Sequence, residues 1–456
     1  MQLKEIIFNS LKNLNEYFIS DDKIKISFYD LYLYVFKESE ILKKQIGENN
    51  RIIIFSNNNI DFIKNLLVII YSNNFPIVTN SKYSNEKIIE IVKKFKINFI
   101  TDSFYNIIST NINHKNTDKN CFIALFTSGS TGDEKIVVLS EEAIFNNTNS
   151  VIKNMNLTNP ENIAIILPLY HSFALITQLF TSLITGANIF LKDNSCFYGE
   201  LIEFIKNKNI NTIAGVPTTF KTILLDKGNI FNSVKHITVA GAALEIDFSK
   251  QLKEFFPNAQ IWVGYGLTEA GPRVTAIEYN DINFLKGSVG KSIDDVEIKI
   301  SLDGEVLVKS LSTMNFYLDN KKDTKNKIKL DYLHTGDTGY IDKDGYLYII
   351  GRKDDIFMSG GEKIAPLMIE NVLNSYEKID MAIVYPEDDI ILGKKPVAIL
   401  KLKNDNITTK EIYNYCLKYL DKSITPRIFY KTDEIPLTHN GKIKRNNINL
   451  CKKTKI

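Results

Sequence analysis

Cysteine is scarce in this chain. Its 456 residues include four cysteines, Cys121, Cys196, Cys416 and Cys451, and none of them forms a CxxC pair. This scatter argues against a thiolate zinc site and gives no sign of a disulfide framework. We therefore expect a protein of a reducing compartment, the cytoplasm.

The chain also lacks a charge excess and an apolar run of membrane length. Its 56 basic and 53 acidic residues leave a net charge of +3, without the basic surplus that nucleic-acid binding usually requires. The most apolar region, Ser172–Leu191, is interrupted by Gln178, Gly186 and Asn188, and its uninterrupted part is shorter than the roughly 20 residues of a membrane span. It predicts a buried helix and a strand. Because the first residues show no signal-peptide pattern, we expect no export, no membrane span and no nucleic-acid partner.

Strand and helix signals alternate over much of the chain. Runs of β-branched residues such as Arg51–Phe55 are followed by helical periodicity, as in Ile60–Ile70 and Asn85–Phe95. This alternation predicts an α/β fold in which helices cover parallel sheets, with ligand sites at the carboxyl ends of the strands. The other predicted strands are Ile77–Val78, Ile97–Ile100, Ile163–Leu167, Ala187–Leu191, Thr212–Val216, His236–Val239 and Gln260–Val263.

The pattern changes at about Lys291. From there to Ile350 strands alternate with turns, which predicts antiparallel β structure, and mixed helix and strand signals return after Gly351. The Lys321–Lys329 run is interpreted as a solvated loop. Since single domains usually stop growing at roughly 250 to 300 residues, we expect one large and one smaller domain.

The segment Cys121–Val137, CFIALFTSGSTGDEKIV, has the composition of a phosphate-binding loop. An apolar run ends in four hydroxyl residues and two glycines, which let backbone N–H groups converge on a ligand, and Lys135 adds a positive charge. Gly129 and Gly132 are too close together for a Walker A loop, and Ile136 stands where that motif requires Ser or Thr. An ordinary Ser/Gly-rich turn is the alternative.

Four further clusters contain groups that suit a nucleotide. In GYGLTEAG, Tyr265 can stack on a base, Thr268 can bond a phosphate oxygen and Glu269 can bind Mg²⁺, which prefers one or two carboxylates plus phosphate oxygens. Asp337 in HTGD can accept hydrogen bonds from a ribose diol, and Arg352 in GRKDD can reach phosphate or ribose oxygens. Each cluster alone is equally compatible with a turn or a solvated loop.

The last cluster, PLTHNGKIKR at Pro436–Arg445, combines a turn-forming glycine with Lys442. A basic tail near a C-terminus is its alternative interpretation. The five motifs in this order resemble the adenylate-forming superfamily of acyl-CoA synthetases, carrier-loading adenylation domains and firefly luciferases. The resemblance covers nearly the whole chain. One departure is that Glu134 and Ile136 flank Lys135 where the family usually has Pro and Gly.

The resemblance implies a role for each matching residue. Thr268 contacts the α-phosphate, Glu269 binds Mg²⁺, Asp337 and Arg352 contact the ribose, and Lys442 bridges the carboxylate and the α-phosphate. The adenine lies between Tyr265 with the neighbouring Gly266 and the wall formed by Gly241, Ala242 and Ala243. The β- and γ-phosphates and the leaving pyrophosphate are held by Thr127, Ser128, Gly129, Ser130, Thr131, Gly132 and Lys135.

The same resemblance implies the domain organisation. An N-terminal adenylation domain of stacked mixed sheets with helices spans residues 1–353 and includes a β-rich part at about 288–350. A small, mobile α+β C-terminal domain spans residues 354–456 and rotates about a hinge at Asp354 between the two half-reactions.

The reaction implied is ATP-dependent activation of a carboxylic acid to an acyl-adenylate, followed by transfer to coenzyme A. The segment MSGGEKIAPLMIE resembles the acyl-CoA synthetase branch, although Met358 stands where other branches often have lysine. His171 matches a residue that gates the acyl site, or is a core histidine. Because PLYHSFAL lacks the aspartate of amino-acid-activating members, we disfavour an α-amino acid. Room for an apolar acyl or aryl group is provided by Ala240, Gly264, Gly266, Ala270 and Gly271.

Two alternatives remain open at this point. One is an enzyme of the same fold that loads the acyl group onto the phosphopantetheine of a carrier protein. The other is a non-catalytic scaffold that keeps the fold. The sequence leaves the acid and the oligomeric state open.

Overall fold

The computed structural model describes residues 2–102, 104–114, 120–127, 135–157, 162–192, 198–224, 230–242, 244, 246–403, 406–436, 445, 448 and 452–456. Several helices begin at a side chain that caps their first N–H groups: Asn59 Oδ1 accepts from the Phe62 N–H, and Ser140 Oγ from the Ala143 N–H. The helices are α1 Leu3–Asn13, α2 Phe28–Ile46, α3 Ile60–Tyr71, α4 Asn85–Lys94, α5 Glu141–Asn154, α6 Ser172–Ala174, α7 Thr181–Thr185, α8 Tyr198–Asn207, α9 Pro217–Ile223, α10 Ile246–Phe255, α11 Lys321–Lys327, α12 Pro366–Asn374 and α13 Thr409–Cys416.

A π-helical segment, Leu175–Phe180, joins α6 to α7, so that the chain is helical from Ser172 to Thr185. The strands are β1 Phe18–Ser20, β2 Lys25–Ser27, β3 Arg51–Ser56, β4 Phe75–Asn80, β5 Phe99–Thr101, β6 Ile107–Ser109, β7 Ile123–Thr127, β8 Lys135–Leu139, β9 Asn162–Ile165, β10 Asn188–Leu191, β11 Thr212–Gly215, β12 His236–Ala240, β13 Gln260–Tyr265, β14 Thr275–Glu278, β15 Lys291–Ser292, β16 Val296–Ile300, β17 Glu305–Ser310, β18 Phe316–Tyr317, β19 Ile328–Lys329, β20 Tyr332–Ile341, β21 Leu347–Arg352, β22 Phe357–Ser359, β23 Glu362–Ile364, β24 Ile379–Asp389, β25 Gly393–Leu402, β26 Ile428–Lys431 and β27 Thr454–Lys455.

Two large mixed sheets carry the N-terminal part of the fold. Sheet A has the strand order β15-β14-β13-β12-β11-β9-β10-β1-β2, and sheet B has the order β18-β8-β7-β4-β3-β5-β6. The central strands β10, β9, β11, β12 and β13 of sheet A run parallel to one another. Parallel strands require crossover connections, and helices provide most of them, as the alternating sequence pattern predicted.

Hydrophobic side chains fill the space between sheets A and B. The largest core cluster joins α2 and α3 and the Ser172–Thr185 helix to strands of both sheets, for example Leu66 and Leu179 with Ile54 and Ile165, all buried. A second cluster packs α8, α9 and α10 on the other face of sheet A. The strands buried on both faces explain the continuous runs of β-branched residues in the sequence.

The predicted antiparallel region forms sheet C, with the order β16-β17-β20-β19 and β21 paired with β20. A further four-stranded sheet, β24-β25-β26-β27, packs on α12 and α13 around its own buried cluster. Asp354 lies in the 3-10 turn Lys353–Asp355 that follows β21.

The α/β fold and the predicted strands are confirmed, and so is the buried helix and strand of Ser172–Leu191. One prediction was wrong. The Lys321–Lys329 run is helix α11 followed by the short strand β19, because the Asn320 side chain caps the helix by accepting from the Asp323 N–H. In the described part of the chain, no helix combines the length and apolarity that a bilayer crossing requires.

Candidate active site

The candidate site lies where strands of sheet A end beside sheet C. Strands β12 and β13 are parallel and place Ala240 next to Gly264. Both strands therefore end at the same edge of the sheet, where Gly241 follows β12 and Tyr265 is the last residue of β13. Gly241 and Ala242 are exposed at this edge. Gly241 has φ +87°, and a Cβ there would lie 3.2 Å from Val216 Cγ1, so the position favours glycine.

Tyr265, Asp337 and Arg352 form a hydrogen-bonded network between the two sheets. Tyr265 Oη donates to Asp337 Oδ2 at 2.6 Å, and Arg352 Nη1 donates to Asp337 Oδ1 at 3.0 Å. Asp337 and Arg352 are opposite each other on β20 and β21. A carboxylate has about four acceptor positions, so Asp337 can still accept from a ribose hydroxyl while both contacts persist.

Charge and burial keep this network in one protonation state. Burial raises the pKa of Tyr265 well above its usual value, and the adjacent Asp337 carboxylate raises it further, so the phenol remains a donor. Burial acts against the Arg352 cation, but the ion pair with Asp337 outweighs it and raises the pKa of Arg352. The predicted ribose-binding residues Asp337 and Arg352 are thus held together in a fixed orientation.

Thr268 and Glu269 lie in the next turn of the chain. The turn is a 3-10 helix, Thr268–Ala270, in which Thr268 Oγ1 lies 2.9 Å from Ser172 Oγ. Glu269 Oε1 accepts from Tyr317 Oη at 2.7 Å, and the Glu269 carbonyl oxygen accepts from the Met314 N–H at 2.8 Å. Side-chain and backbone contacts together hold the Glu269 carboxylate in place.

The donor set around Glu269 suits Mg²⁺. Among the described residues there is no cluster of three or more His, Cys, Asp and Glu that could bind a metal by protein ligands alone. Mg²⁺ is commonly bound by one or two carboxylates, with water and substrate phosphates completing the shell. A single oriented carboxylate next to a nucleotide site therefore fits this ion.

Thr127 and Lys135 flank the predicted phosphate loop at the ends of β7 and β8, where they are opposite each other. Lys135 Nζ lies 2.7 Å from Asp323 Oδ2 and 5.1 Å from the centre of the Tyr317 ring. The hydrogen bond from Lys135 lowers the pKa of Asp323. Other predicted site residues lie outside the described residues, namely Ser128, Gly129, Ser130, Thr131, Gly132, Ala243 and Lys442.

Three residues of this site were not predicted: Ser172, Tyr317 and Lys327. Lys327 Nζ donates to the Thr335 carbonyl oxygen at 3.0 Å, the same atom that Arg352 Nη1 reaches at 3.3 Å. Burial lowers the pKa of Lys327, while the nearby Glu269 carboxylate opposes that shift. No sequence signal marks Tyr317, and Lys327 is one of six lysines from Lys309 to Lys329.

The predicted acyl side adjoins these groups. His171 precedes the Ser172–Thr185 helix, and its ring centre lies 4.2 Å from that of Tyr170. Gly264 and Gly266 are required by close packing, because a Cβ would lie 1.1 Å from Arg273 Nη1 and 1.7 Å from the Pro272 carbonyl oxygen, respectively. Gly271 has φ +82°, and a Cβ there would lie 2.4 Å from the Ser312 carbonyl oxygen. These glycines therefore serve the protein's own packing, and the sequence interpretation that they leave room for an acid does not follow from them.

Comparison with known proteins agrees with this geometry. Residues 99–318 match the model of the AMP-binding enzyme family, and residues 368–442 match that of the AMP-binding enzyme C-terminal domain. A 2-succinylbenzoate–CoA ligase of Listeria innocua is 27% identical over 76% of this chain and 77% of its own length.

Solved structures show the same fold. The o-succinylbenzoate CoA synthetase (MenE) of Bacillus subtilis in complex with its acyl-adenylate intermediate has a TM-score of 0.86 at 22% identity, and the superposition covers 99% of both chains. The same enzyme in complex with ATP and magnesium ion has a TM-score of 0.84 at 22% identity and covers 97% of this chain and 99% of that chain.

The matched regions contain both parts of an adenylate-forming ligase. The chain is therefore an AMP-forming acid–thiol ligase, an enzyme that converts a carboxylic acid and ATP to an acyl-adenylate and pyrophosphate before the acyl group passes to a thiol. The chain belongs to the AMP-binding enzyme family of the adenylate-forming superfamily, in its acyl-CoA ligase branch.

Proposed function

We propose that the cluster around Tyr265, Glu269, Asp337 and Arg352 is the adenylation site of this ligase. The observation that supports this most is the Tyr265–Asp337–Arg352 network, which holds a carboxylate at the strand ends where Gly241 and Ala242 are exposed. That arrangement suits an adenosine whose ribose diol bonds Asp337. The adenine would then lie between Tyr265 and the Gly241–Ala243 segment.

The triphosphate would extend from this point toward Thr268, Glu269 and Lys135. Thr268 is proposed to contact the α-phosphate, and Lys135 with Thr127–Gly132 to hold the β- and γ-phosphates. Mg²⁺ bound by Glu269 would supply charge neutralisation of the phosphates. Tyr317 contacts both Glu269 and Lys135, so it couples the two ends of the proposed phosphate site.

The chemistry requires positioning more than a protein nucleophile. A carboxylate oxygen of the acid bonds to the α-phosphorus while the bond from that phosphorus to the bridging oxygen breaks, and pyrophosphate leaves. The sulfur of coenzyme A then bonds to the acyl carbon, and AMP leaves. Since acid and triphosphate are both anionic, fixed cations supply most of the catalysis.

Lys442 is proposed as the cation that bridges the acid and the α-phosphate. We further propose that residues 1–353 form the adenylation domain and residues 354–456 a mobile domain that carries Lys442. The mobile domain would rotate about Asp354 between the two half-reactions. Met358, half exposed on β22, would then lie where other branches use lysine in the second half-reaction.

For the carboxylic acid that is activated, we propose a class of compound. The first similar relatives are named for 2-succinylbenzoate, which makes that compound the first acid to test. Tyr170, His171, Ser172 and Phe173 at the start of the Ser172–Thr185 helix offer no carboxylate for an α-amino group, and we therefore disfavour amino acids. His171 is proposed to gate the acid beside Thr268.

A carrier protein is the second candidate acceptor, since the fold and first half-reaction are the same. Parallel assays with coenzyme A and with phosphopantetheinylated carriers separate the two. Product formed on a carrier alone would contradict the coenzyme A assignment. A cytoplasmic location also stays a prediction.

Acid-dependent ATP–pyrophosphate exchange tests the proposed site. Lys442→Ala should lower the exchange rate by about 10²–10³, the scale for one preorganised electrostatic donor, with Lys452→Ala of the same tail as matched control. Exchange near the wild-type rate in Lys442→Ala would contradict the assignment. Absence of acid-dependent pyrophosphate release across a broad panel of carboxylic acids would instead support a non-catalytic scaffold.

A further inference from the structure

A small, mainly apolar cavity lies beside the proposed acyl site. It is enclosed by α5, by strands β9, β11 and β12 of sheet A, and by the Ser172–Thr185 helix. Its walls combine apolar side chains such as Met155 and Phe173 with the polar side chains of Gln178, Thr212 and Arg273. Apolar and polar side chains therefore face the same small space.

Arg273 is held firmly in this cavity. The Asn147 side chain makes two hydrogen bonds to the Arg273 backbone: Nδ2 donates to the Arg273 carbonyl oxygen at 2.9 Å, and Oδ1 accepts from the Arg273 N–H at 3.3 Å. The guanidinium lies against Gly264, and its central carbon is 5.3 Å from the centre of the Phe173 ring. Its position is therefore set by three separate parts of the fold.

The guanidinium lacks a counterion in the described part of the chain. Arg273 is 2% exposed, and neither Nη1 nor Nη2 has a hydrogen-bond partner among the described residues. Burial lowers the pKa of Arg273 to about 10, which leaves the group charged at neutral pH. A buried, unpaired charge is strongly unfavourable, so an anion is the missing component of this arrangement.

Gln178 points to the same conclusion. It is 6% exposed, and both Nε2 and Oε1 are without a partner among the described residues. The amide can donate to an anion that Arg273 binds. Buried donors of two side chains that face one cavity and have no partner among the described residues call for a bound polar group between them.

The cavity adjoins the position of the acid. Phe173 follows Ser172, whose hydroxyl contacts Thr268, and Gly264 separates the guanidinium from the strand end at Tyr265. The free volume is about 20 Å³, room for about one water-sized group. That space matches one oxygen of a carboxylate, and not a long hydrocarbon arm.

We propose that Arg273 and Gln178 bind a second anionic group of the acid, a carboxylate distant from the one that is adenylated, so that the substrate is a dicarboxylic acid. This rests on the proposed function, because it takes the acid to enter beside His171 and Thr268. Arg273 is then a specificity-determining residue. The dicarboxylate supplies the counterion that the protein itself does not.

Two pairs of acids test the proposal. Each pair keeps the chain length and removes one carboxylate: 2-succinylbenzoate against 4-oxo-4-phenylbutanoate, and glutarate against pentanoate. In the wild type, kcat/KM for pyrophosphate release should favour the dicarboxylate of at least one pair by about 10- to 100-fold, the scale of a hydrogen bond to a charged group. Arg273→Met should remove that preference while keeping activity on the monocarboxylate.

Three variants separate binding from folding. Arg273→Lys keeps the charge but not the two-pronged donor, and should retain part of the preference. Gln178→Met should reduce it. Arg427→Met removes an exposed arginine and should change nothing. Arg273→Met should fold at least as well as the wild type, since it deletes an unpaired buried charge.

Ligand-induced shifts in melting temperature test binding without catalysis. The dicarboxylate should raise the melting temperature of the wild type and leave that of Arg273→Met unchanged. Equal shifts in both proteins, or a wild-type preference for the monocarboxylate in both pairs, would overturn the proposal. A dicarboxylate shift confined to the wild type, with no pyrophosphate release from any acid, would uphold the ligand class and refute the adenylation site.

Discussion

The hydroxyl of Tyr317 donates a 2.7 Å hydrogen bond to Oε1 of Glu269. The two residues are far apart in sequence, and they meet because β18, which carries Tyr317, pairs with β8 at the edge of sheet B. Lys135 lies over the Tyr317 ring, with its Nζ 5.1 Å from the ring centre. One phenol thus orients the proposed Mg²⁺ ligand and contacts the lysine of the phosphate loop.

Tyr317→Phe isolates the hydrogen bond, because it keeps the ring beneath Lys135. We expect kcat/KM for ATP to fall by about 10-fold, the lower end for a lost hydrogen bond to a charged group, and the Mg²⁺ concentration at half-maximal rate to rise. ATP–pyrophosphate exchange measured across Mg²⁺ concentrations checks this. Tyr419→Phe, at an exposed tyrosine, is the matched control. An unchanged Mg²⁺ dependence would show that Tyr317 does not position Glu269.

The proposed contact between Asp337 and the ribose can be tested with ATP analogues that lack one ribose hydroxyl. The wild type should use 2′-deoxy-ATP or 3′-deoxy-ATP less well than ATP, by about 10-fold or more, because the Asp337 carboxylate would lose a donor. Asp337→Asn should use ATP poorly and discriminate little between the three nucleotides. Steady-state kcat/KM for each nucleotide measures the coupling. Full discrimination retained in Asp337→Asn would place the ribose elsewhere.

Much of the fold followed from local sequence signals. The strands β3, β11, β12 and β13 were predicted because both faces of a parallel strand are buried, which imposes continuous β-branched runs. Motif residues were predicted because nucleotide chemistry demands particular side chains at short spacing. Tyr265, Asp337 and Arg352 do converge, although they lie on three strands of two sheets.

Residues whose role depends on long-range packing could not be predicted. Arg273 reads as an ordinary polar residue after GYGLTEAGP, and only the glycine at position 264 lets its guanidinium enter the core. Tyr317 and Ser172 contribute through contacts made across the fold. Lys327 was taken for part of a solvated loop, because a lysine-rich helix turn has no apolar stripe that would show which of its lysines is half-buried.

Lys327 provides a test that depends on pH. Its pKa is lowered by burial, opposed by Glu269, lowered by Arg352, and raised by Asp337 and Glu305. Lys327 therefore loses its proton at a lower pH than an exposed lysine, whose pKa is about 10.4. As the pH rises toward that value, the site loses a cation that attracts ATP.

Accordingly, the KM for ATP in the wild type should rise on the alkaline side, and Lys327→Met should have a raised KM, by about 10-fold, that no longer changes there. Measurements from pH 7 to 10 check this, with the exposed Lys325→Met as control. A parallel alkaline rise in wild type and Lys327→Met would assign it to another group.

Arg445, three residues after Lys442 in the sequence, contacts the beginning of the C-terminal region. Its Nη1 and Nη2 donate to Oε1 and Oε2 of Glu370 at 2.8 and 2.7 Å, and its Nε lies 2.9 Å from Oδ2 of Asp355, next to the proposed hinge. Burial opposes the Arg445 cation, but the bond to Glu370 outweighs it and raises the pKa of Arg445. The Glu370 side chain is 2% exposed.

Arg445→Met should therefore destabilise the protein by about 3–5 kcal/mol at neutral pH, because it leaves a buried carboxylate unpaired. The loss should shrink as pH falls, since an unpaired buried carboxyl has a raised pKa and takes up a proton, which removes its charge. Glu370→Leu combined with Arg445→Met should recover most of the stability, because an apolar pair replaces the ionic one. Urea unfolding of the wild type, Arg445→Met and the double variant at pH 7.5 and pH 5 measures these free energies of unfolding, with Arg427→Met as control. Equal destabilisation at both pH values, or no recovery in the double variant, would show that the Arg445–Glu370 pair does not hold the Lys442 segment through its charges.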